Sequence, residues 1–400
     1  MNHLSYLEKL LEGIEVVWFP IREVTERTTN IKWRETSKSH QYIDLTSVSI
    51  DTKKIIETTE VGSSNAPSRA QKLVKRDDVL FATTRPTQMR YCLIDEEYDG
   101  AVASTGYCVL RVKKEVTLPK WILHLISSSD FKKYLEENQS GSAYPAISDA
   151  KVKDFSIPIP CPDNPEKSLE IQAEIVRILD AFTAMTAELT AELNMRKKQY
   201  NYYRNQLLSF DEANVEWKSL GKLAENLDSK RKPITSGQRE PGNIPYYGAS
   251  GIVDYVKDFI FDGDFLLVSE DGANLLARNT PIAFSISGKN WVNNHAHVLK
   301  FETYAERRYV EYYLNSIDLT PYISGAAQPK LNKKNLNSIS IPNPSLEEKE
   351  RIVSVLDKFH TLTTSISDGL PREIELRKKQ YEYYRDLLLS FPQFNSDEAA

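Results

Sequence analysis

At 400 residues, with 40% hydrophobic and 27% charged side chains, the chain has the composition of a soluble protein of two or three domains; disordered, collagen-like and disulfide-scaffold classes are excluded. The net charge is −5; basic and acidic side chains balance over residues 1–160 and the acidic excess lies mostly in 341–400, so any nucleic-acid surface must be a local patch. Cys92, Cys108 and Cys161 sit at no metal-ligand or redox spacing, Met1–Gly13 lacks the apolar core of a signal peptide, and no apolar run approaches the ~18 residues of a membrane helix, so a reduced, cytoplasmic protein without a membrane partner is expected.

In chain order, Tyr6–Leu11 reads as the tail of a helix ahead of Val16-Val-Trp18. Asp78–Ala82 and Ala101–Leu110 read as strands and Trp121–Leu135 as an amphipathic helix, so residues 1–160 form a first α+β block. Pro158, Pro160, Pro162 and Pro165 then punctuate the chain, and Ser168 is the predicted N-cap of a helix within residues 161–210. Ser168–Phe210 would span roughly 64 Å at ~1.5 Å per residue. Its apolar stripe, Ile171, Ile175, Ile178, Phe182, Met185 and Leu189, follows a heptad and predicts a paired helix. Inside it, Thr186-Ala187-Glu188-Leu189 is followed at once by Thr190-Ala191-Glu192-Leu193. Residues 211–343 form a second α+β block, with strands at Asp264–Val268 and Trp291–Leu299 and a helix at Tyr304–Leu314. Residues 344–391 form a second long helix, capped by Ser345, with the stripe Ile352, Val355, Phe359, Leu362 and Ile366. Gly369-Leu-Pro371 should kink or interrupt it; residues 392–400 are a tail.

The strongest signal is a duplication. Arg196–Phe210 returns as Arg377–Phe391, identical at twelve of fifteen positions. Upstream, Ile175–Asp180 answers Ile352–Asp357, Phe155–Pro158 answers Ile339–Pro342, Gly141–Pro145 answers Gly325–Pro329, and Val16–Trp18 answers Val215–Trp217. Between these landmarks the halves diverge. The period is too long for a solenoid. It predicts two copies of one unit related by a pseudo-two-fold: two globular domains of mixed sheet or barrel with helices, separated by two long antiparallel coiled-coil helices, in a circular arrangement with the termini close together.

Tyr246-Tyr-Gly-Ala-Ser-Gly251, Leu266–Gly272 and the doubled Arg-Lys-Lys-Gln-Tyr-x-Tyr-Tyr-Arg segments resemble the specificity subunit of type I restriction-modification systems, and the Thr-Ala-Glu-Leu tandem looks like one branch of that family. The resemblance covers essentially the whole chain. It implies that each variable block is a target recognition domain reading one half of a split DNA sequence. It implies that the helices set the spacer and dock two methyltransferase subunits, and that two motor-nuclease subunits join that core. It places S-adenosylmethionine, ATP and Mg2+ in those partners and none in this chain.

The residues themselves supply no catalytic constellation. No Pro-Pro dipeptide exists to build an amino-methyltransferase motif, and neither Gly221-Lys222 nor Gly288-Lys289 fits a phosphate-binding loop. His295-x-His297 would set two imidazoles on one strand face, but ordinary strand residues are the expectation over a metal site. The Glu270-Asp271 window reads equally as a strand end entering a glycine turn. Recognition without covalent chemistry is therefore expected; a coiled-coil DNA-binding regulator or scaffold without restriction partners is the alternative. Base readout needs Arg, Lys, Asn, Gln, Ser or Thr on loops that enter a groove. The candidates are Lys32, Lys72, Thr84, Arg85, Gln88 and Arg90 in the first block, and Lys230, Arg231, Lys232, Asn274, Asn293, Asn294 and Gln328 in the second.

Overall fold

The computed structural model describes residues 13–211, 213–325 and 328–391. The chain forms two compact units, one holding residues up to Thr190 and those from Glu373 onward, the other running Ala191–Arg372. The long helices are therefore shared between the units, where sequence alone set them apart as separate blocks. The Tyr6–Leu11 segment and the 392–400 tail lie outside the described residues.

In the first unit, β1 (Val16–Pro20) is followed by β2 (Thr25–Glu26), β3 (His40–Ile43), β4 (Thr59–Val61), β5 (Ala70–Leu73), β6 (Val79–Ala82), β7 (Tyr91–Leu93), β8 (Val102–Ser104) and β9 (Tyr107–Val112). Three helices follow, α1 (Pro119–Leu125), α2 (Ser129–Asn138) and α3 (Asp149–Asp154), then β10 (Ser156–Pro160) and α4 (Pro165–Leu207). The strands form two four-stranded sheets, β2-β9-β6-β7 and β4-β3-β8-β5, and a separate β1-β10 pair.

The second unit contains β11 (Trp217–Ser219), α5 (Leu220–Leu223), β12 (Glu225–Asn226), β13 (Pro241–Gly248), β14 (Gly251–Val256), β15 (Phe261–Asp262), β16 (Phe265–Ser269), α6 (Asn274–Ala277), β17 (Ala283–Ile286), β18 (Lys289–Val292) and β19 (Ala296–Lys300). It closes with α7 (Tyr304–Ser316), α8 (Lys333–Ser338), β20 (Ser340–Pro342) and α9 (Leu346–Thr364); α10 (Leu370–Leu388) belongs almost wholly to the first unit. Its sheets are β12-β19-β16-β17, β14-β13-β18-β15 and β11-β20. Every strand thus has its counterpart ten places on, including the parallel pairs β3–β8 and β13–β18. Even register is kept: Trp18 faces Pro158 and Trp217 faces Pro342, the residues that the repeat aligns.

The predicted strands and helices exist, with breaks. Ala101–Leu110 splits into β8 and β9 around Thr105-Gly106, and Trp121–Leu135 splits at Ser127-Ser128, where Ser128 caps α2 by accepting from the Phe131 amide. Thr303 and Glu306 form a capping box at the start of α7. Ser345 caps α9 as expected, accepting from the Glu348 amide at 3.3 Å. Ser168 does not cap α4; it is buried within the helix, which begins a turn earlier at Asn164-Pro165, where Asn164 accepts from the Lys167 amide. Proline at the first helical position loses no hydrogen bond, so this earlier signal wins. Gly369 has no room for a Cβ, which would sit 2.5 Å from the Thr361 carbonyl oxygen. With Pro371 it separates α9 from α10.

The heptad stripes are real, but their first halves face globular cores. Ile171, Ile175, Val176 and Leu179 are buried with β10 and α1, and Ile178 is partly buried there. Ile352, Val353 and Leu356 are buried with α7. Further along, pairing runs through aromatic rings: Phe182 stacks on Tyr384 at 5.3 Å in the first unit, and Tyr203 on Phe359 at 5.5 Å in the second. Partner numbers fall as those of α4 rise, as in antiparallel pairing. Val355 and Leu362 are half-buried; Met185 is exposed, and Ile366, 82% exposed, lies beyond the end of α9 and is no part of a seam. A stripe reports that one face is apolar and leaves open what covers it.

Each globular part is tied to its helix by the last residue of the matched hexapeptides. Asp180 on α4 accepts from His124 Nε2 at 3.0 Å and Lys120 Nζ at 2.5 Å, both on α1; the other His124 nitrogen meets the Tyr381 hydroxyl at 2.9 Å. Asp357 on α9 accepts from Arg308 at 2.8 and 3.0 Å, Tyr312 at 2.6 Å and Tyr304 at 2.8 Å, all on α7. Burial alone would raise both carboxyls, but these donors hold them below the usual carboxylate range. Leu388, Leu389 and Phe391 share the first unit's core with Val16. The described ends of the chain thus meet, as a circular arrangement requires.

Candidate nucleic-acid interface

The ends of β6 and β16 carry the same main-chain scaffold in the two units. The Thr83 amide donates to the Gly106 carbonyl at 2.8 Å, and Glu270 to His295 at 2.9 Å. The Ile147 amide donates to the Thr83 carbonyl at 2.9 Å, and Leu331 to Glu270 at 2.7 Å. A small loop closes on itself through reciprocal bonds, Ser140 with Ala146 and Ser324 with Lys330. Gly141 and Gly325 open these loops at φ +94° and +84°, the left-handed region in which glycine has no Cβ penalty. Finally, Thr84 bridges Ala146 and Asp271 bridges Lys330. The weak match of Gly141–Pro145 with Gly325–Pro329 therefore marks the same main-chain closure in both units. Strand end, preceding turn and loop together form a rim in each unit.

The predicted readout residues divide over these rims. Thr84, Arg85 and Gln88 are exposed on the first. Arg85 has φ +50°, its amide donates to the Pro145 carbonyl at 2.7 Å, and its guanidinium lies 5.2 Å from the centre of the Tyr144 ring, itself 72% exposed. Tyr144 was missed by sequence reasoning, although it sits inside the repeated loop that pointed to the spot. Arg90 is turned inward, donating to the Leu45 and Val48 carbonyls at 2.6 and 2.5 Å. Lys72 is also inward, on the Tyr107 carbonyl and Asp149, each at 2.5 Å. Lys32 is exposed and pairs with Glu35, away from the rim bonds.

On the second rim, Asn294 and Gln328 are exposed, as are Lys230 and Lys232 in the neighbouring turn. Arg231 is inward: it donates to Glu270 and the Ala296 carbonyl, both at 2.7 Å. That carbonyl is the counterpart of the Tyr107 carbonyl which Lys72 reaches. Asn293 is buried and accepts from the His295 amide at 2.8 Å, and Asn274 closes its own turn on both backbone groups of Thr280. Tyr246 is core, its hydroxyl accepting from the Ile234 amide.

The acidic window is engaged. Glu270 meets Arg231, Lys330 at 3.1 Å and His297 at 3.8 Å; burial opposes ionisation, yet these partners, Arg231 foremost, keep its carboxyl below the usual range. Asp228 is held down to about 2, burial being outweighed by His297 at 2.6 Å, the Val298 amide and Asn226. The two histidines are separately occupied. His297 is fully buried between Asp228 and the Leu331 carbonyl, and exposed His295 lies in the turn before β19, with Nδ1 2.9 Å from both oxygens of Asp271. Among the described residues no three metal-ligating side chains converge.

Comparison with known proteins agrees with the duplicated layout. The family described as Type I restriction modification DNA specificity domain matches residues 21–196 and again residues 213–376. The chain belongs to that family. It is 38% identical over 417 residues to the specificity subunit of the Escherichia coli type I restriction enzyme EcoR124I/EcoR124II, covering 98% of each chain. It is 34% identical to the Escherichia coli EcoprrI specificity subunit, over 92% of this chain and 93% of that one. Among solved structures, a chain described under complex assembly and conformational transition of the type I R-M system aligns with a TM-score of 0.62 at 21% identity, over 94% of this chain and 97% of that one. The S subunit from M. genitalium aligns at 0.57 and 14%, over 96% and 98%. These two share its fold. As a member of the specificity family, the chain is a DNA-recognition subunit with two target recognition domains, one in each unit, and not a catalytic one. Among the described residues no helix is long and apolar enough to cross a membrane.

Proposed function

We propose that each unit reads one half of a bipartite DNA target with its rim, and that the long helices fix the length of the unread spacer and dock two methyltransferase subunits. The observation that carries this reading is the repetition of one main-chain rim with different side chains, in a chain whose two helical segments close on stretches identical at twelve of fifteen positions. Keeping the helices while varying both heads suits two half-sites at a set separation. Two motor-nuclease subunits complete the assembly; S-adenosylmethionine, ATP and Mg2+ act in the partners, and the complex works in the cytoplasm. The exposed Thr84, Arg85, Gln88, Asn294 and Gln328 face the bases, and Lys230 and Lys232 the phosphates. A near-neutral reader suffices where partners clamp the duplex.

Methylation sequencing of the host genome tests the reading: two short words separated by a fixed gap are expected, and one continuous word overturns it. The tandem Thr186–Leu193 supplies the ruler. One added Thr-Ala-Glu-Leu unit lengthens a helix by ~6 Å, so the gap should grow by about one or two base pairs with both words unchanged. A changed word with an unchanged gap refutes the ruler.

A further inference from the structure

The two rims are alike in backbone and differ in the charge they carry just past the strand end, Arg85 in the first and Asp271 in the second. Residues 83–90 and 140–147 contain no carboxylate. Arg85 presents a guanidinium, which has five donors and no acceptor, and its left-handed backbone and the Tyr144 ring hold it outward. At the counterpart of Thr84 the second rim carries Asp271, and at the counterpart of Gly106 it carries His295. Glu270 next door is fully used by Arg231 and Lys330. Asp271 is not: His295 Nδ1 lies 2.9 Å from both its oxygens, its side chain remains 32% exposed, and a carboxylate has about four lone-pair sites. An outward carboxylate is repelled by phosphates, so it weakens binding to every sequence except one that offers it a donor. In the major groove the base donors are the exocyclic amines of cytosine and adenine, and the acceptors best matched to a guanidinium are guanine N7 and O6.

Resting on the half-site reading above, we propose that the rims use opposite halves of this code. Arg85 selects a guanine in one half-site, and the Asp271–His295 pair selects an amine-bearing base in the other. Asp271 accepts from the amine, while His295 orients the carboxylate and turns its other ring nitrogen to the groove.

The test is genome-wide methylation profiling of cells that express the full chain with its methyltransferase partner. Asp271→Asn should reduce discrimination at one position of one half-site by roughly 5- to 150-fold, the range for one bidentate base contact, with the other half-site unchanged. His295→Gln should relax the same position less. Arg85→Ala should relax one guanine in the other half-site. Unchanged words in Asp271→Asn, relaxation of both words by one variant, or an Arg85→Ala variant that weakens all sites evenly as a phosphate contact would, each overturn the proposal. A wild-type profile without a split site overturns the half-site reading instead. Should a variant lose all methylation, the unaltered complex decides: 7-deazaguanine in one half-site, or analogues lacking the exocyclic amine in the other, should cut binding by a similar factor at one position each. No effect from either set refutes the assignment.

Discussion

At the rim of the first unit stand Thr83, Thr84, Arg85 and Ala146; at that of the second, Glu270, Asp271, Gly272 and Lys330, joined by the same main-chain bonds. Main-chain donors and acceptors are common to all residues, so a scaffold built from them survives replacement of nearly every side chain. The supports beneath differ as well. One equivalent carbonyl is met by Lys72 from β5 in the first unit and by Arg231 from a different turn in the second. A cation is needed there to satisfy the carbonyl and a nearby carboxylate, and its origin is free. The lesson is that side chains can diverge while geometry is stored in the backbone.

The comparison breaks most visibly if whole heads are exchanged. Replacing residues 1–150 by those of a relative with the same helices should replace one half-site entirely and leave the other intact; methylation profiling showing both changed would end the two-unit account. Next in size is a matched pair of substitutions at the helix anchors. Asp357→Ala leaves the buried guanidinium of Arg308, which cannot shed its charge, with Glu311 as its remaining acid partner at 2.5 Å, and should cost about 2–3 kcal/mol. Asp180→Ala leaves His124, whose ring still meets the Tyr381 hydroxyl, and half-exposed Lys120, which water can solvate, and should cost about 1 kcal/mol by urea denaturation. Equal losses would show that partner chemistry is irrelevant to the anchor.

Acid should distinguish the units too. The Asp228 carboxyl is depressed to about 2, so its contribution is fully present above its unfolded value near 4 and is lost as pH falls from about 4 through 2. Loss on the order of 2 kcal/mol from the second unit over that window is expected. Asp228→Asn should be less stable at neutral pH and flatter in acid, and a wild-type acid profile identical to that of the variant would contradict the network. Smallest of all, Lys32→Ala removes an exposed pair and should change stability by less than about 0.5 kcal/mol, whereas Lys72→Ala should cost about 1–2 kcal/mol.

The duplicated plan was legible because two stretches of near-identical sequence need no propensity to be recognised, and the helices because their apolar periods are long. The rims were half legible. Thr84, Arg85 and Gln88 are exposed on the first rim, but Arg90, Lys72, Arg231, Asn274 and Asn293 serve the backbone, and residue type alone cannot tell an exposed polar group from a carbonyl's partner. Asp271 and His295 were noticed separately, as part of an acidic window and of a histidine pair; only the fold joins them, from segments 24 residues apart. Ile366 shows the limit of periodicity, for its spacing fits a seam that the Gly369 turn had already ended.

The anchors at Asp180 and Asp357 also bear on how such chains can diversify. The carboxylate stays with the shared helix, and the clasp that grips it, His124 with Lys120 or Arg308 with the tyrosines Tyr304 and Tyr312, travels with the globular part. A genetic crossover between clasp and carboxylate therefore delivers a new reader together with its own fastening, and asks of the helix an acid at one place and the apolar face that already closes the core. Natural shuffling of half-sites should leave its junctions there.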